Sequence, residues 1–208
     1  MSVVTGAFQI VAVVIAVGSV AKIASPDGFS ALLRTIGLPS GRLIARLSGV
    51  VELVLGVTAA VMGGALAAGA VAAAYTVFAV AVLAARRSGA ASCGCFGAAS
   101  APPSVVHVVV NAVSAAVALL AVLVVPAPLT DVLADQPLAG VPYLAMVAIG
   151  AWLVVVLDTT GAQLVEQVAA VSALGPTFRE HAATPATVPH THSHDHGARA
   201  PRRRTGAS

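Results

Sequence analysis

The chain has 208 residues, of which 58% are hydrophobic and 9% charged, with a formal net charge of +3. Soluble domains carry about 25% charged residues, so this chain reads as an integral membrane protein whose solvent is largely lipid. The small positive charge is no footprint of nucleic-acid binding, because the basic residues fall in connectors and tail, where they orient a membrane protein, and no nucleic-acid motif accompanies them.

Five apolar stretches follow in chain order: Val3–Ala24, Leu43–Met62, Ala65–Ala85, Val105–Val125 and Val141–Leu157. At 1.5 Å per residue about 20 residues cover a hydrocarbon core of roughly 30 Å, so each of the first four can cross it. The fifth, about 17 residues, sits at the low end of the spanning range, and local thinning would accommodate the Asp158-Thr159-Thr160 that follows. The first stretch lacks the basic leader of a secretory signal and is taken as a retained helix. The expected fold is an all-α, polytopic membrane helical bundle, with residues 1–125 as its core. Residues 126–175 add a transmembrane helix and an interfacial helix marked by Leu164, Val165, Val168, Val171 and Leu174. Residues 176–208, rich in Pro, Thr, His and Arg, are expected to be a disordered tail.

Small residues suggest how the helices pack. Gly56, Ala60 and Gly64 recur every fourth residue, and Gly69, Ala73 and Val77 do so less perfectly, each a ridge where backbones can approach. The Gly63-Gly64 turn leaves little slack, so the second and third spans should form an antiparallel hairpin. Basic residues orient the bundle: Lys22, Arg34, Arg42 and Arg46 lie in or beside the first connector and Arg86 and Arg87 in the third, whereas the Gly63-Gly64 turn and the 126–140 connector carry none. Basic connectors favour the cytoplasm, which puts the N-terminus outside and the third connector and C-terminus inside, with an outward third connector as the rival orientation.

The third connector holds the only two cysteines, in Ser92-Cys93-Gly94-Cys95-Phe96-Gly97. Gly94 frees the backbone between the thiols, and a disulfide across so small a ring should be strained and easily reduced, which suits exchange better than stapling. Arg86, Arg87 and the start of a helix near Ser104 would lower the thiol pKa if the loop folds back. The plainer alternative is a pair of small buried hydrophobes.

His107 and Asn111, four apart, project from one helical face below the Cys loop. His107 would donate or accept protons during thiol exchange or join the cysteines on a metal; alternatively the two are a polar pair bonded to a neighbouring helix. Glu52 lies near the middle of the second span, where an ionisable group costs roughly 2.5–3.5 kcal/mol on insertion scales, so it must face the bundle interior. It reads either as an intramembrane proton carrier or as a neutral side chain bonded to Tyr75, Thr76 or Gln9, with no obvious basic partner. Gln9 itself reads as interhelical glue. His190, His192, His194 and His196 alternate in the tail, a weak metal-binding pattern without fixed geometry.

Taken together, Cys93-Gly94-Cys95-Phe96-Gly97, the Pro/Ser connector and the helix bearing His107 and Asn111 resemble the signature of the MauE family, methylamine-utilisation membrane proteins related to the DoxX-like redox-associated group. Lys22, Asp27-Gly28-Phe29, Gly37-Leu38 and the Glu52-to-Gly56 spacing resemble the first half of DoxX-like chains. The resemblance covers about residues 3–125. It implies a four-helix core in a bacterial-type inner membrane that assists maturation of disulfide-containing exported proteins, such as the methylamine dehydrogenase small subunit, beside a thioredoxin-like partner. Val110 stands where family members often place a basic residue before the helix Asn, and the fifth span and His-rich tail lie outside the resemblance.

Three readings of function follow. In the first, Cys93 and Cys95 exchange electrons with a thioredoxin-fold partner, and a quinone or second protein completes the path, since two cysteines on one face cannot relay a disulfide across a bilayer. In the second, Cys93, Cys95 and His107 hold copper(I) or zinc, with the His tract as collector. In the third, the chain is a non-catalytic assembly factor.

Overall fold

The computed structural model describes residues 2–90, 103–135 and 139–161, together with positions 163, 164, 167, 168 and 171. All regular structure among them is helical: α1 Val3–Ala24, α2 Asp27–Thr35, α3 Arg42–Met62, α4 Ala65–Arg87, α5 Val105–Val124, α6 Leu129–Asp135 and α7 Gly140–Val156, the last continued by a π-helical turn, Leu157–Gly161. Five helices are long and apolar enough to cross a membrane: α1, α3, α4, α5 and Gly140–Gly161. Their outward faces carry side chains such as Leu66, Leu123, Val141 and Trp152, a surface that lipid covers at no cost and water would not. The fold is an all-α, multi-pass membrane bundle.

At the centre of the bundle stands α1, which packs on α3, α5 and α7. Ser2 starts it by accepting the Thr5 N–H on its side chain, and the Ser25 N–H closes it on the Ala21 carbonyl just before Pro26. Thr5, Phe8, Gln9, Val11, Ala12, Ile15, Ser19 and Lys22 are buried, on more than one face of the helix. A helix so enclosed is part of the folded core.

Helices α1 and α3 approach closely. Ala45, Gly49, Glu52, Gly56 and Ala59 are the buried residues of α3, and their alternating spacing of four and three keeps one seam facing a partner. A Cβ on Gly56 would stand 2.8 Å from the Ala12 carbonyl oxygen and from the Ala16 nitrogen, and one on Gly49 2.9 Å from Ile23 Cγ1. The ridges expected from strict four-residue spacing differ from this seam: a Cβ on Gly64 would meet nothing within 4 Å, and Ala73 and Val77 are exposed. Steps of four alone drift around a helix of 3.6 residues per turn, whereas alternating threes and fours do not.

Gly63 and Gly64 make the α3–α4 turn at φ of +60° and +86°, in the left-handed region open to glycine. The Gly64 N–H donates to the Pro126 carbonyl at 2.9 Å, which ties the turn beside the end of α5. The two helices it joins do touch, yet the main partner of α3 is α1 and that of α4 is α5. Between these layers lies the apolar core of Phe8, Ala12, Ala59, Val71, Tyr75 and Ala118.

Two connectors contain helices of their own: α2 in the first, with only Leu32 buried, and α6 in the 126–140 connector. The fifth span also differs from expectation. It needs no thinned bilayer, because the π turn carries helical bonding through Asp158-Thr159-Thr160 and extends the span to 22 residues. Thr159 supports this by donating its hydroxyl to the Val155 carbonyl at 2.8 Å. Residues 1–169 form one unit and residues 170–208 another, of which only position 171 is described. Of the expected interfacial helix, Leu164, Val168 and Val171 are helical and exposed, and Val165 and Leu174 lie outside the described residues, as does the tail from 176 onward.

Candidate functional site

Glu52 does have a basic partner. Lys22, in the last turn of α1, points inward and its Nζ donates to Glu52 Oε2 at 2.5 Å, while Ser48, one turn earlier on α3, donates its hydroxyl to Oε1 at 2.9 Å. Both charged side chains are almost wholly buried, Lys22 at 3% and Glu52 at 11% side-chain exposure. Two aromatic rings complete the ammonium's surroundings, Phe29 of α2 at 4.6 Å and Phe78 of α4 at 4.5 Å from ring centroid to Nζ. Taking two ions out of water costs several kcal/mol each, and close pairing, the added hydroxyl and the ring faces all offset it.

The residues expected to bond Glu52 are used elsewhere. The Tyr75 hydroxyl donates to the Val11 carbonyl at 2.7 Å, Thr76 donates to the Ala72 carbonyl at 2.8 Å, and Gln9 accepts the Tyr143 hydroxyl at 2.5 Å. The expectation of a carboxyl without a basic partner failed because Lys22 was read as belonging to a connector. It follows Ile15 and Ser19 at helical spacing on a buried face, and that periodicity is the signal for an inward lysine.

Around the ion pair lies a cavity of about 30 Å³, lined by Lys22, Glu52, Tyr75, Phe78, Asn111 and Asp158 among others. That volume suits a water molecule and is too small for a quinone ring. Five elements contribute: α1, α3, α4, α5 and the π turn. Asp158 was read as the polar boundary of a short span, but it is buried. It lies in register with Tyr143, Val147 and Ala151, the buried face of α7.

Asn111 thus meets Glu52 at one cavity, and its Nδ2 donates to the His107 carbonyl at 2.7 Å. His107, also buried, folds back on the start of its own helix: its Nδ1 accepts the Ser104 N–H at 3.3 Å and lies 2.8 Å from the Ser104 hydroxyl. An Nδ1 that accepts a backbone N–H leaves the ring proton of a neutral imidazole on Nε2.

The remaining candidates, Cys93 and Cys95 and the tail histidines His190, His192, His194 and His196, lie outside the described residues. Among the described residues no group of three or more His, Cys, Asp or Glu could hold a metal ion. The described ends flanking the cysteines are Ala90, just past α4, and Pro103, just before α5. Helix direction puts both toward the same end of the bundle as Lys22 and His107, opposite the Gly64–Pro126 bond.

That end carries a second ion pair. Asp27 of α2 accepts from Arg42 Nε at 2.6 Å and Nη2 at 3.2 Å, both side chains being well exposed. The Arg42 hydrogen bond, helped by the positive charges of Arg42 and Arg46, holds the Asp27 carboxyl below its ordinary value.

Compared with known families, residues 2–124 match the model described as "Methylamine utilisation protein MauE". No curated protein and no solved structure matches the chain.

Proposed function

The chain belongs to the MauE family, and from that membership we propose that it takes part in methylamine utilisation as a membrane thiol–disulfide exchange protein acting through Cys93 and Cys95. In this reading the thiolate of a thioredoxin-fold partner attacks one sulfur of a Cys93–Cys95 disulfide. A mixed disulfide forms and is resolved by the partner's second thiol, which leaves the partner oxidised and the Cys pair as a dithiol. For an exported client to receive that disulfide, a further carrier must take it across the membrane, since two cysteines on one face cannot relay it. Two electrons and two protons have entered the Cys pair, and a quinone or second redox protein of the membrane must take them away.

The observation that supports this best is the polarity of one end of the bundle. The helices flanking the cysteines, α4 and α5, bring Phe78, His107 and Asn111 to the end that also holds Lys22, Glu52 and Asp158. Buried ionisable groups are costly in lipid and concentrate where a membrane protein does chemistry. We place this end in the cytoplasm. Lys22 is neutralised by Glu52 and no longer contributes to the bias, yet Arg34, Arg42, Arg46, Arg86 and Arg87 are all exposed there.

The test is a trapping experiment. A Cys93→Ser or a Cys95→Ser variant, lacking one sulfur of the pair, should accumulate a mixed disulfide with a thioredoxin-fold protein after acid quenching and alkylation. Stoichiometric metal in equilibrium dialysis that disappears in Cys93→Ser/Cys95→Ser, without any mixed disulfide, would defeat the redox reading in favour of metal handling. Full complementation by the double variant would select an assembly role instead.

A further inference from the structure

The connector between α2 and α3 carries two apolar side chains outside any span, Ile36 and Leu38, and its backbone is built to hold them in place. Gly37 stands at φ +77°, its N–H donates to the Arg34 carbonyl at 3.1 Å, and the Leu38 N–H reaches back to the Leu33 carbonyl at 2.8 Å. Together these bonds form a Schellman motif, which closes α2 and fixes the direction in which the chain leaves it. Ile36 and Leu38 are thereby set beside α4, where with Thr76, Val77, Val80 and Ala84 they wall an open groove of about 340 Å³. The groove is almost wholly apolar, and its one hydroxyl, on Thr76, donates to the Ala72 carbonyl of its own helix.

One end of this groove is basic. Arg87 continues the row Val77, Val80 and Ala84 in alternating steps of three and four, the spacing that keeps to one face of a helix, and Arg34 stands two residues before Ile36 in the last turn of α2. Arg86 adds a third guanidinium at the same helix end. All three are exposed, and the ion pairs among the described residues, Lys22–Glu52 and Arg42–Asp27, use none of them. The rise along α4 from Thr76 to Arg87 is roughly 16 Å, about half of a hydrocarbon core of ~30 Å and so the depth of one leaflet.

We propose that this groove binds an anionic phospholipid, with one acyl chain lying along Val77, Val80 and Ala84 beside Ile36 and Leu38, and with the phosphate held by Arg34 and Arg87. Charge selects the ligand. Any lipid-facing surface accepts an acyl chain, but guanidinium groups without a carboxylate partner favour a negative headgroup, each basic residue near the surface being worth roughly fivefold in affinity. A quinone offers them no charge to pair with, and a second copy of the chain would bury them. In the orientation argued above the lipid belongs to the cytoplasmic leaflet. The site involves neither cysteine, although α4 leads into their connector, and it goes beyond the thiol reading.

Native mass spectrometry of the full chain tests this, with dioleoyl phosphatidylglycerol, dioleoyl phosphatidylcholine or a short-chain ubiquinone offered in detergent at low salt. One phosphatidylglycerol should be retained, with an affinity about tenfold above that of phosphatidylcholine. Arg34→Gln/Arg87→Gln should bring the two lipids close to equal, and Val80→Trp, which fills the groove from an exposed position, should weaken retention of phosphatidylglycerol several-fold. Arg42→Gln/Arg46→Gln, an equal loss of positive charge elsewhere at that end, should leave the preference unchanged. So should Cys93→Ser/Cys95→Ser, which means that thiol exchange can fail while this site survives, and the reverse. Equal retention of the two lipids by the wild type, an equal effect of the two arginine double variants, or undiminished retention in Val80→Trp would overturn the proposal. So would tighter retention of the ubiquinone, or a dimer lost in Val80→Trp, which would make a second copy the occupant.

Discussion

Two ion pairs lie at the same end of this bundle with nearly equal contact distances, Lys22–Glu52 at 2.5 Å and Arg42–Asp27 at 2.6 Å, but one is sealed between helices and the other stands in the open. In water the second pair is screened by solvent and salt and contributes little. Almost wholly buried, the first is little screened by solvent, so each ion depends strongly on the other being present. Distance alone therefore says little about what an ion pair does; the surroundings decide. For the buried pair those surroundings are a hydroxyl, two aromatic rings and a seam of small residues that lets α1 and α3 approach.

The largest effect should come from leaving one buried ion alone. Glu52→Ala strands the Lys22 ammonium and is expected to cost about 3–5 kcal/mol, measured as unfolding in mixed micelles or bicelles. The double variant Lys22→Met/Glu52→Leu should recover most of that loss or exceed wild-type stability. Equal stability of Glu52→Ala and wild type would show that the pair is not sealed.

The seam comes next. Gly56→Leu forces a side chain against the α1 backbone and should cost about 1–3 kcal/mol by overpacking. Gly69→Ala adds a Cβ in ordinary contact with Val122 at 4.0 Å and should change little. Similar losses in both would place the close approach elsewhere. Smaller still is Tyr143→Phe, which removes the hydroxyl bonded to Gln9 between α7 and α1. Hydrogen bonds between membrane helices average about 0.6 kcal/mol, and the same unfolding assay should find a loss of that order.

The exposed pair should give the smallest effect. Because its hydrogen bond to Arg42 holds the folded Asp27 below 3.8, the pair contributes above that pH, and the contribution fades as pH falls through the lower folded value. Asp27→Asn should therefore leave stability near neutral pH almost unchanged and remove only a slight acid-side dependence that high salt also removes. A loss comparable to that of Glu52→Ala would contradict the contrast between the two pairs.

The spans were readable from sequence because apolar length is a local property and lipid rewards it directly. Glu52 could be turned inward on cost alone, and His107 and Asn111 shared a face by spacing. What could not be read was partnership. Lys22 stood at the edge of an apolar run and looked like a connector residue, and Asp158 looked like the end of a short span; each is drawn inward by contacts with helices distant in sequence. The small-residue ridge was sought at steps of four, whereas the packed seam alternates threes and fours, a choice that the neighbouring helix makes. Helices α2 and α6 are short and sit at the ends of the bundle, where hydropathy has little to register.

The function proposed for the chain rests on its two sulfurs. Labelling Cys93 and Cys95 in intact cells with a membrane-impermeant thiol reagent and then with a permeant one, before and after reductant, reports their side and redox state together. The impermeant reagent should fail and the permeant one should react, and labelling should rise after reductant because part of the population holds a disulfide. Thiols that stay fully reduced throughout, or that no reagent reaches until the protein is unfolded, would contradict it.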